Sequence, residues 1–459
     1  CWRGQTWPAE WRQGTITPHF KHGALDRTDA GSYRPITLTT SALSKLFELM
    51  LHARLSAWAE ECGLLVEEQC GFRSGRSTLD QIFSLHEIVA KRREEGKRTF
   101  LAFLDVKHAY DRVWRSGLLW KLKRLGLGGR MLALLPSMLE RNTRRVAVRG
   151  SLSGEFTTLV GLPQGAVLSP LLYAIFINDL AVELNQLGLG VPLYARRVSI
   201  LLYADDIVLI ADSASDLQLM LDCANAYACK WRFRFNAKPG KSGIVVAKPL
   251  GDRNEQHLSF RLGPSVLHTA VEYRYLGVEF GHLDSWNRHL ARVLKAARFQ
   301  MLSVWHSVRG ISPIHIATAV KLFNTFVRPI MEYADSIWGC LCSRIFLTKL
   351  NRLQISFGRL VLRLPSQAAN VYVLRELHME SVEERVEKAQ LSFFGRLAAM
   401  GDQRLAGYIF RKRCDEVDDG GAPGSWCALV KPLLQADPTL RPVWESRTKP
   451  PGWKGLVVA

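Results

Sequence analysis

Two adjacent carboxylates in the middle of an otherwise apolar stretch constrain this chain more than any other feature. The stretch runs Ser199-Ile-Leu-Leu-Tyr203, then Ala204-Asp205-Asp206, then Ile207-Val-Leu-Ile210. Two short aliphatic and β-branched runs around a tight acidic turn predict a hairpin, half-buried or buried. Like charges side by side at its tip repel and are poorly solvated, so they persist most readily where divalent cations neutralise them. An ordinary Asp-rich β-turn has the same local sequence, because Asp suits turns.

A second acidic strand end lies upstream. Thr99-Phe-Leu-Ala-Phe-Leu104 reads as a strand ending at Asp105, and Val106-Lys-His-Ala-Tyr110-Asp111 comes directly after it. Such a strand can carry a distant carboxylate to the hairpin tip and complete a cage of Asp105, Asp205 and Asp206. Hard oxygen ligands of this kind suit magnesium. Paired ions would serve an in-line displacement at phosphorus, one activating the attacking oxygen and the other stabilising the leaving group. The competing reading makes Asp105 a helix N-cap.

These residues belong to a colinear series. In order come Tyr33-Arg-Pro-Ile36 with Lys45 and Glu48, Gln69-Cys-Gly-Phe-Arg73-Ser-Gly-Arg76-Ser-Thr78, Phe103-Leu-Asp105-Val-Lys-His-Ala-Tyr110-Asp111, and Gly161-Leu-Pro-Gln164-Gly-Ala-Val-Leu-Ser-Pro170. Tyr203-Ala-Asp-Asp206, Asn236 with Lys241-Ser242, and Tyr275-Leu-Gly277 complete it. The series resembles the reverse transcriptase of non-LTR (LINE-type) retrotransposons. The resemblance implies an α+β, right-hand polymerase fold of fingers, palm and thumb with a helical C-terminal region. It implies an RNA-directed DNA polymerase that uses an RNA template, a DNA primer and deoxynucleoside triphosphates, with two Mg2+ ions, or Mn2+, held at Asp105, Val106, Asp205 and Asp206.

Other roles carry over position by position. Arg73 and Arg76, among the glycines Gly71 and Gly75, would approach the triphosphate, since a guanidinium fork meets phosphate oxygens bidentately; two solvated surface arginines are the plain alternative. Tyr110 would hold its ring under the sugar and clash with a 2′-hydroxyl, or else be a core tyrosine. Gln164 would bond to nucleotide or template, although a structural loop-to-helix junction would look similar. Lys241 would stabilise or protonate the departing pyrophosphate, with Lys238 as its rival. His108 stands where Lys is common.

Composition agrees with a polyanionic partner. Sixty-one Lys and Arg against forty-two Asp and Glu give a net charge of +19, which favours nucleic acid. No apolar stretch reaches bilayer length and no secretory pattern opens the chain, so a soluble protein is expected. The nine cysteines form no Cys-x-x-Cys pair, and reduced, mostly buried thiols are expected rather than zinc sites. The chain begins at Cys1 within a pattern, as a fragment or degraded copy of a longer polyprotein would. A non-catalytic nucleic-acid-binding remnant and a group II intron-type reverse transcriptase/maturase are the alternatives. A LINE-type enzyme would work in the nucleus or in a cytoplasmic ribonucleoprotein.

Changes of pattern divide the chain near residues 98, 281, 365 and 417; the resemblance implies that these parts are fingers over 1–98, a palm over 99–281 within a reverse transcriptase domain of about 7–281, a helical thumb over 282–365 and a helical connection over 366–417, with a linker and tail over 418–459. Ser77 with Asp80 resembles a helix start, as does Ser169 before Pro170, with the apolar helix Leu171 to Leu180 beyond. Lys230-Trp-Arg-Phe-Arg234-Phe reads as a basic strand. Arg288, Arg292, Lys295 and Arg298 recur at helical spacing opposite Leu290, Val293, Leu294, Ala297 and Met301. That basic face would either track template-primer phosphates or simply be solvated.

Overall fold

The computed structural model of the protein describes residues 1–21, 26–39, 41–252, 258–281, 286–309 and 315–458. The expected palm-to-thumb boundary at residue 282 lies outside the described residues. Helices and strands mix along the chain in an α+β fold. The strands that position the site are β1 (Gln13–Phe20), β2 (Tyr33–Thr39), β3 (Thr99–Asp105), β4 (Asn142–Val148), β5 (Phe156–Thr158), β6 (Ile200–Tyr203) and β7 (Asp206–Ala211). The helices that matter most are α1 (Ala42–Glu61), α2 (Thr78–Glu94), α3 (Ser169–Gln186), α4 (Ala214–Lys230), α5 (Trp286–Val308), α6 (Val382–Ala398), α7 (Leu405–Asp418) and α8 (Trp426–Ala436).

Two compact units result. The first comprises Cys1–Thr78, Phe100–Ile244 and Gln256–Thr269, the second Leu79–Thr99, Val245–Glu255 and Ala270–Ala459. This division cuts the chain differently from a linear order of fingers, palm, thumb and connection, because residues 79–98 join the C-terminal helices.

In the first unit β3, β7 and β6 lie side by side and antiparallel, with β7 in the middle. Every residue of β3 before Asp105, and every residue of β7 after Asp206, is buried. Helix α3 packs against β6 and α4 against β7, so these strands are continuous apolar runs rather than alternating ones. A second sheet places β1 antiparallel to β2 and parallel to β4, with β5 on β4.

Two local expectations need correction. Helix α3 begins at Ser169 itself with Pro170 in its first turn, and the Ser169 hydroxyl donates to the Pro163 carbonyl (2.7 Å) instead of capping. The basic stretch from Lys230 is not a strand. Helix α4 continues through Lys230, Trp231 N–H returns to the Tyr227 carbonyl (3.0 Å), Arg232 turns left-handed at φ +63°, and only Phe235 pairs, in an isolated bridge to Val106.

In the second unit much of α2 is buried. Helix α2 starts at Thr78, just after the Ser77 signal, but buried Asp80 faces Arg396 and Arg404 rather than serving only as a cap, with Oδ2 3.0 Å from each guanidinium. Arg413, fully buried, donates to Glu87 (2.7 Å), to both oxygens of Glu94 (2.7 Å each) and to Glu416 (2.8 Å). Phe83 meets Phe393 and Trp426 edge to face at 5.7 and 5.5 Å. Residues after Asp418 form the expected loop, but the chain beyond that loop is no loose tail. It folds into α8 and two short helices, Arg441–Ser446 and Trp453–Val458, and Trp426 and Cys427 are sealed from solvent.

The thiols are less hidden than expected. Cys70, Cys414 and Cys427 are buried, three others are half-buried, and Cys1, Cys62 and Cys229 are exposed. Among the described residues no helix is long and apolar enough to cross a membrane.

Candidate active site

The acidic turn is a hairpin of minimal length. Asp206 pairs with Tyr203, leaving Ala204 and Asp205 as the two loop residues. Ala204 is left-handed at φ +58°, a conformation that costs an L-residue roughly 1–2 kcal/mol. On its other edge β7 pairs with β3 in a register that sets Asp206 opposite Asp105. The cross-strand pairing and the turn thus gather Asp105, Asp205 and Asp206 at one end of the sheet.

Neighbouring backbone fixes Asp105. Its N–H donates to Ser242 Oγ (3.0 Å), its carbonyl accepts from Asn236 N–H (2.8 Å), and Asn236 Nδ2 donates to Oδ2 (3.2 Å). Buried Val106 comes next, pinned by its bridge to Phe235.

Burial raises the Asp205 pKa above the ordinary carboxylate range, and the Asp105 charge adds to this, while Arg34 and Lys241 oppose it. Asp206 is exposed at the end of β7. Its carboxyl is still pushed up to about 7, first by desolvation and then by the charges of Asp205 and Asp105, again opposed by Lys241. Lys241 rather than Lys238 is therefore the lysine whose charge bears on the cluster.

Tyr110 is half-buried beside these carboxylates. Its phenol is shifted upward, by burial first and then by Asp205. Its ring stacks on that of Tyr173 with centroids 5.0 Å apart. Gln164 Nε2 donates to both oxygens of Asp111 (3.1 and 3.2 Å), and its carbonyl accepts from Thr37 N–H (2.7 Å). A side chain at Gly165, where φ is +106°, would press on the Thr37 carbonyl. Buried Glu48 holds the same loop by accepting from Val167 N–H (2.8 Å), and burial raises its pKa.

Two expected phosphate ligands have partners within the protein. Arg73 forks onto Glu60 (2.8 and 2.7 Å) and donates to the Val66 and Gln69 carbonyls. Arg76 pairs with Glu67 at 2.6 Å. In the second unit Arg288, Lys295 and Arg298 lie on the exposed face of α5 while Leu290, Val293, Ala297 and Met301 are buried and Leu294 half-buried. Arg292 departs from that face: it bonds Glu279 (2.6 Å) and the Gly277 carbonyl (2.7 Å). Arg288 is 3.3 Å from Glu272.

Sequence reasoning assigned no role to Arg34, Glu48, Gln69, Asn236 and Ser242, though each sits inside one of the conspicuous blocks. Tyr173 carries no signal of its own in the sequence, since an aromatic residue inside an apolar helix reads as core.

Among the described residues no group of three or more His, Cys, Asp or Glu side chains is already set to hold a metal ion. The donor chemistry does suit a hard divalent cation, because clustered carboxylates that raise one another's pKa gain most from added positive charge.

Residues 21–280 match the model of the family described as Reverse transcriptase (RNA-dependent DNA polymerase). The chain is 28% identical over 401 residues to a probable RNA-directed DNA polymerase from transposon BS of Drosophila melanogaster, covering 86% of this chain and 43% of that protein. It is 26% identical over 395 residues to the RNA-directed DNA polymerase from mobile element jockey of the same fly, covering 85% and 42%. The chain thus spans less than half the length of these relatives. Among solved structures, apo telomerase from Candida tropicalis aligns with a TM-score of 0.43 at 12% identity, over 88% of this chain and 68% of that one.

Proposed function

The chain belongs to the reverse transcriptase (RNA-dependent DNA polymerase) family, with its right-hand polymerase fold, and on that premise we propose that it is the RNA-directed DNA polymerase of a non-LTR retrotransposon, extending a DNA primer 3′-hydroxyl on an RNA template. One observation carries the reading: Asp105 and Asp206 face each other across two strands with Asp205 in the adjoining turn. Reverse transcriptases in general use divalent metal ions. Two Mg2+ ions, or Mn2+, held by Asp105, Val106, Asp205 and Asp206 would supply charge neutralisation at the attacking and leaving oxygens.

The remaining residues bind and orient. Tyr110, braced by Tyr173, would lie under the incoming sugar and exclude a 2′-hydroxyl. Gln164 would exchange its bond to Asp111 for one to nucleotide or template. Arg73 and Arg76 would reach triphosphate oxygens only by leaving Glu60 and Glu67, so a nucleotide that binds them must compete with those carboxylates. Lys241, exposed beside the cluster, would stabilise the pyrophosphate as the P–O bond breaks.

Primer extension on a defined RNA template, with purified protein, deoxynucleotides and magnesium, tests the reading. Incorporation that requires both template and divalent cation is expected. Incorporation no greater than that of Asp205→Asn would overturn it.

A further inference from the structure

The tip of the acidic hairpin has a second support besides its own ladder. Segment 68–71 runs beside β6: Leu202 N–H donates to the Glu68 carbonyl (3.0 Å) and Cys70 N–H to the Leu202 carbonyl (2.9 Å), a parallel bridge centred on Gln69 and Leu202. Gln69 is sealed from solvent. Its Oε1 accepts from Gly71 N–H at 2.8 Å and from Ala204 N–H at 3.0 Å. These two donors identify the oxygen end of the carboxamide. Its Nε2 is buried without a hydrogen-bond partner, an arrangement that is unfavourable in itself and that leaves the acceptor oxygen as the group this position uses.

We propose that Gln69 is the positioning residue of the catalytic turn: its single carboxamide oxygen locks the left-handed Ala204, and with it Asp205 and Asp206, to the loop that carries Arg73 and Arg76. Three features support this. Ala204 holds a conformation an alanine disfavours, and a bond to its N–H from outside the hairpin helps to hold it there. Gly71 lies so close that a Cβ there would fall 2.3 Å from Ala204 N, and only glycine admits the approach. Moreover, the same oxygen serves both segments, so displacing the loop pulls on the turn. Residues placed to receive the triphosphate and carboxylates placed to receive cations are thereby joined through one atom. A glutamate would retain the acceptor and remove the unpartnered donor, at the cost of another negative charge beside the cluster. Asparagine would be too short.

The inference rests on the polymerase reading for its consequence, but not for its geometry, and the tests separate the two. Hydrogen exchange on the wild-type chain, which needs no activity, should show the Ala204 amide protected at least about tenfold more than a freely exchanging loop amide. Exchange at the loop rate would overturn the lock whether or not the protein polymerises. In single-nucleotide addition, folded Gln69→Met should lose tenfold or more in kcat and need several-fold more magnesium for half-maximal rate, with the nucleotide KM within about twofold. Gln69→Glu should recover kcat to within about threefold of wild type once magnesium is saturating. A Met variant with wild-type kcat and magnesium dependence would overturn the role, and so would a Glu variant as impaired as Met. If Gln69→Met does not fold, Gly71→Ala, which crowds the same pair of segments, takes its place with the same expected losses. Should wild type add no nucleotide while its Ala204 amide is protected, the polymerase reading fails and the lock stands.

Discussion

Asp105 and Asp206 stand directly opposite one another in the antiparallel register of β3 and β7, so two carboxylates meet side by side where ordinary cross-strand pairing would place opposite charges. Asn substitution removes the charge and keeps the shape. Asp105→Asn or Asp205→Asn should lower primer extension by at least about 10²–10³-fold while template affinity, carried mainly by Lys and Arg on phosphates, changes little. Gel-based extension and filter binding on the same preparations check this. Robust extension by Asp205→Asn would remove the turn from the chemistry.

Asp206 makes stability depend on pH in a definite direction. Its folded-state pKa of about 7 lies above the ordinary value of about 3.9, so the fold binds the proton more tightly than the unfolded chain does. Its contribution is whole below about pH 4 and is lost as pH rises through 7. Without divalent cations, the melting temperature should therefore fall from pH 5 to pH 8 more steeply in wild type than in Asp206→Asn. Added magnesium should raise it more at pH 8 than at pH 5. Parallel pH slopes in the two proteins would contradict this.

Tyr110 offers a selectivity test independent of rate. Tyr110→Val removes the ring that rests on Tyr173, and ribonucleotide addition should rise relative to deoxyribonucleotide addition in a single-turnover assay, by about tenfold if the lost discrimination is of the order of 1.4 kcal/mol. A folded, active variant with the wild-type ratio would place Tyr110 in the core instead.

The basic face of α5 is narrower than its helical spacing implies, because Arg292 is engaged by Glu279. Changing Arg288, Lys295 and Arg298 together to Glu leaves that pair intact. Products made per binding event should shorten, and the log–log salt slope should become shallower by about 0.9 for each phosphate that the variant no longer neutralises. An unchanged product length and slope would mean the face is only solvated.

Arg413→Met tests the buried ionic cluster of the second unit. The substitution leaves Glu87 buried without its cation, and breaking a buried pair by removing one partner costs about 3–5 kcal/mol. Denaturant unfolding should register a loss of that size. A double variant with Glu87→Gln should recover part of it.

The hairpin, the strand ending at Asp105 and the family blocks were legible because local pattern encodes them: apolar runs end where charged residues begin. Register was not, since buried strands lack the alternation that would label one face, and nothing local sets Asp105 opposite Asp206 rather than a neighbour. Charge type was visible and charge partner was not. Arg73, Arg76 and Arg292 were identifiable as cations, while Glu60, Glu67 and Glu279 reach them only through tertiary structure. The C-terminal segment misled by composition, because its Gly and Pro residues suggest a tail although Trp426, Val430 and Leu434 repeat at helical spacing and are all buried.

The enclosure of α2 also sets a timetable for synthesis. Asp80 meets Arg396 and Arg404 across 316 and 324 residues of chain, and Glu94 and Glu87 meet Arg413 across 319 and 326. At about 5–20 residues per second, α2 leaves the ribosome roughly 15–60 s before the arginines that pair with its carboxylates. Through that interval an amphipathic helix with Phe83 on its apolar side has no native cover, and it is then open to chaperones and to other nascent chains. A ribosome that stalls before Arg413 is made would leave a chain that holds Asp105, Asp205 and Asp206 but lacks the cation that pairs with Glu87 and Glu94.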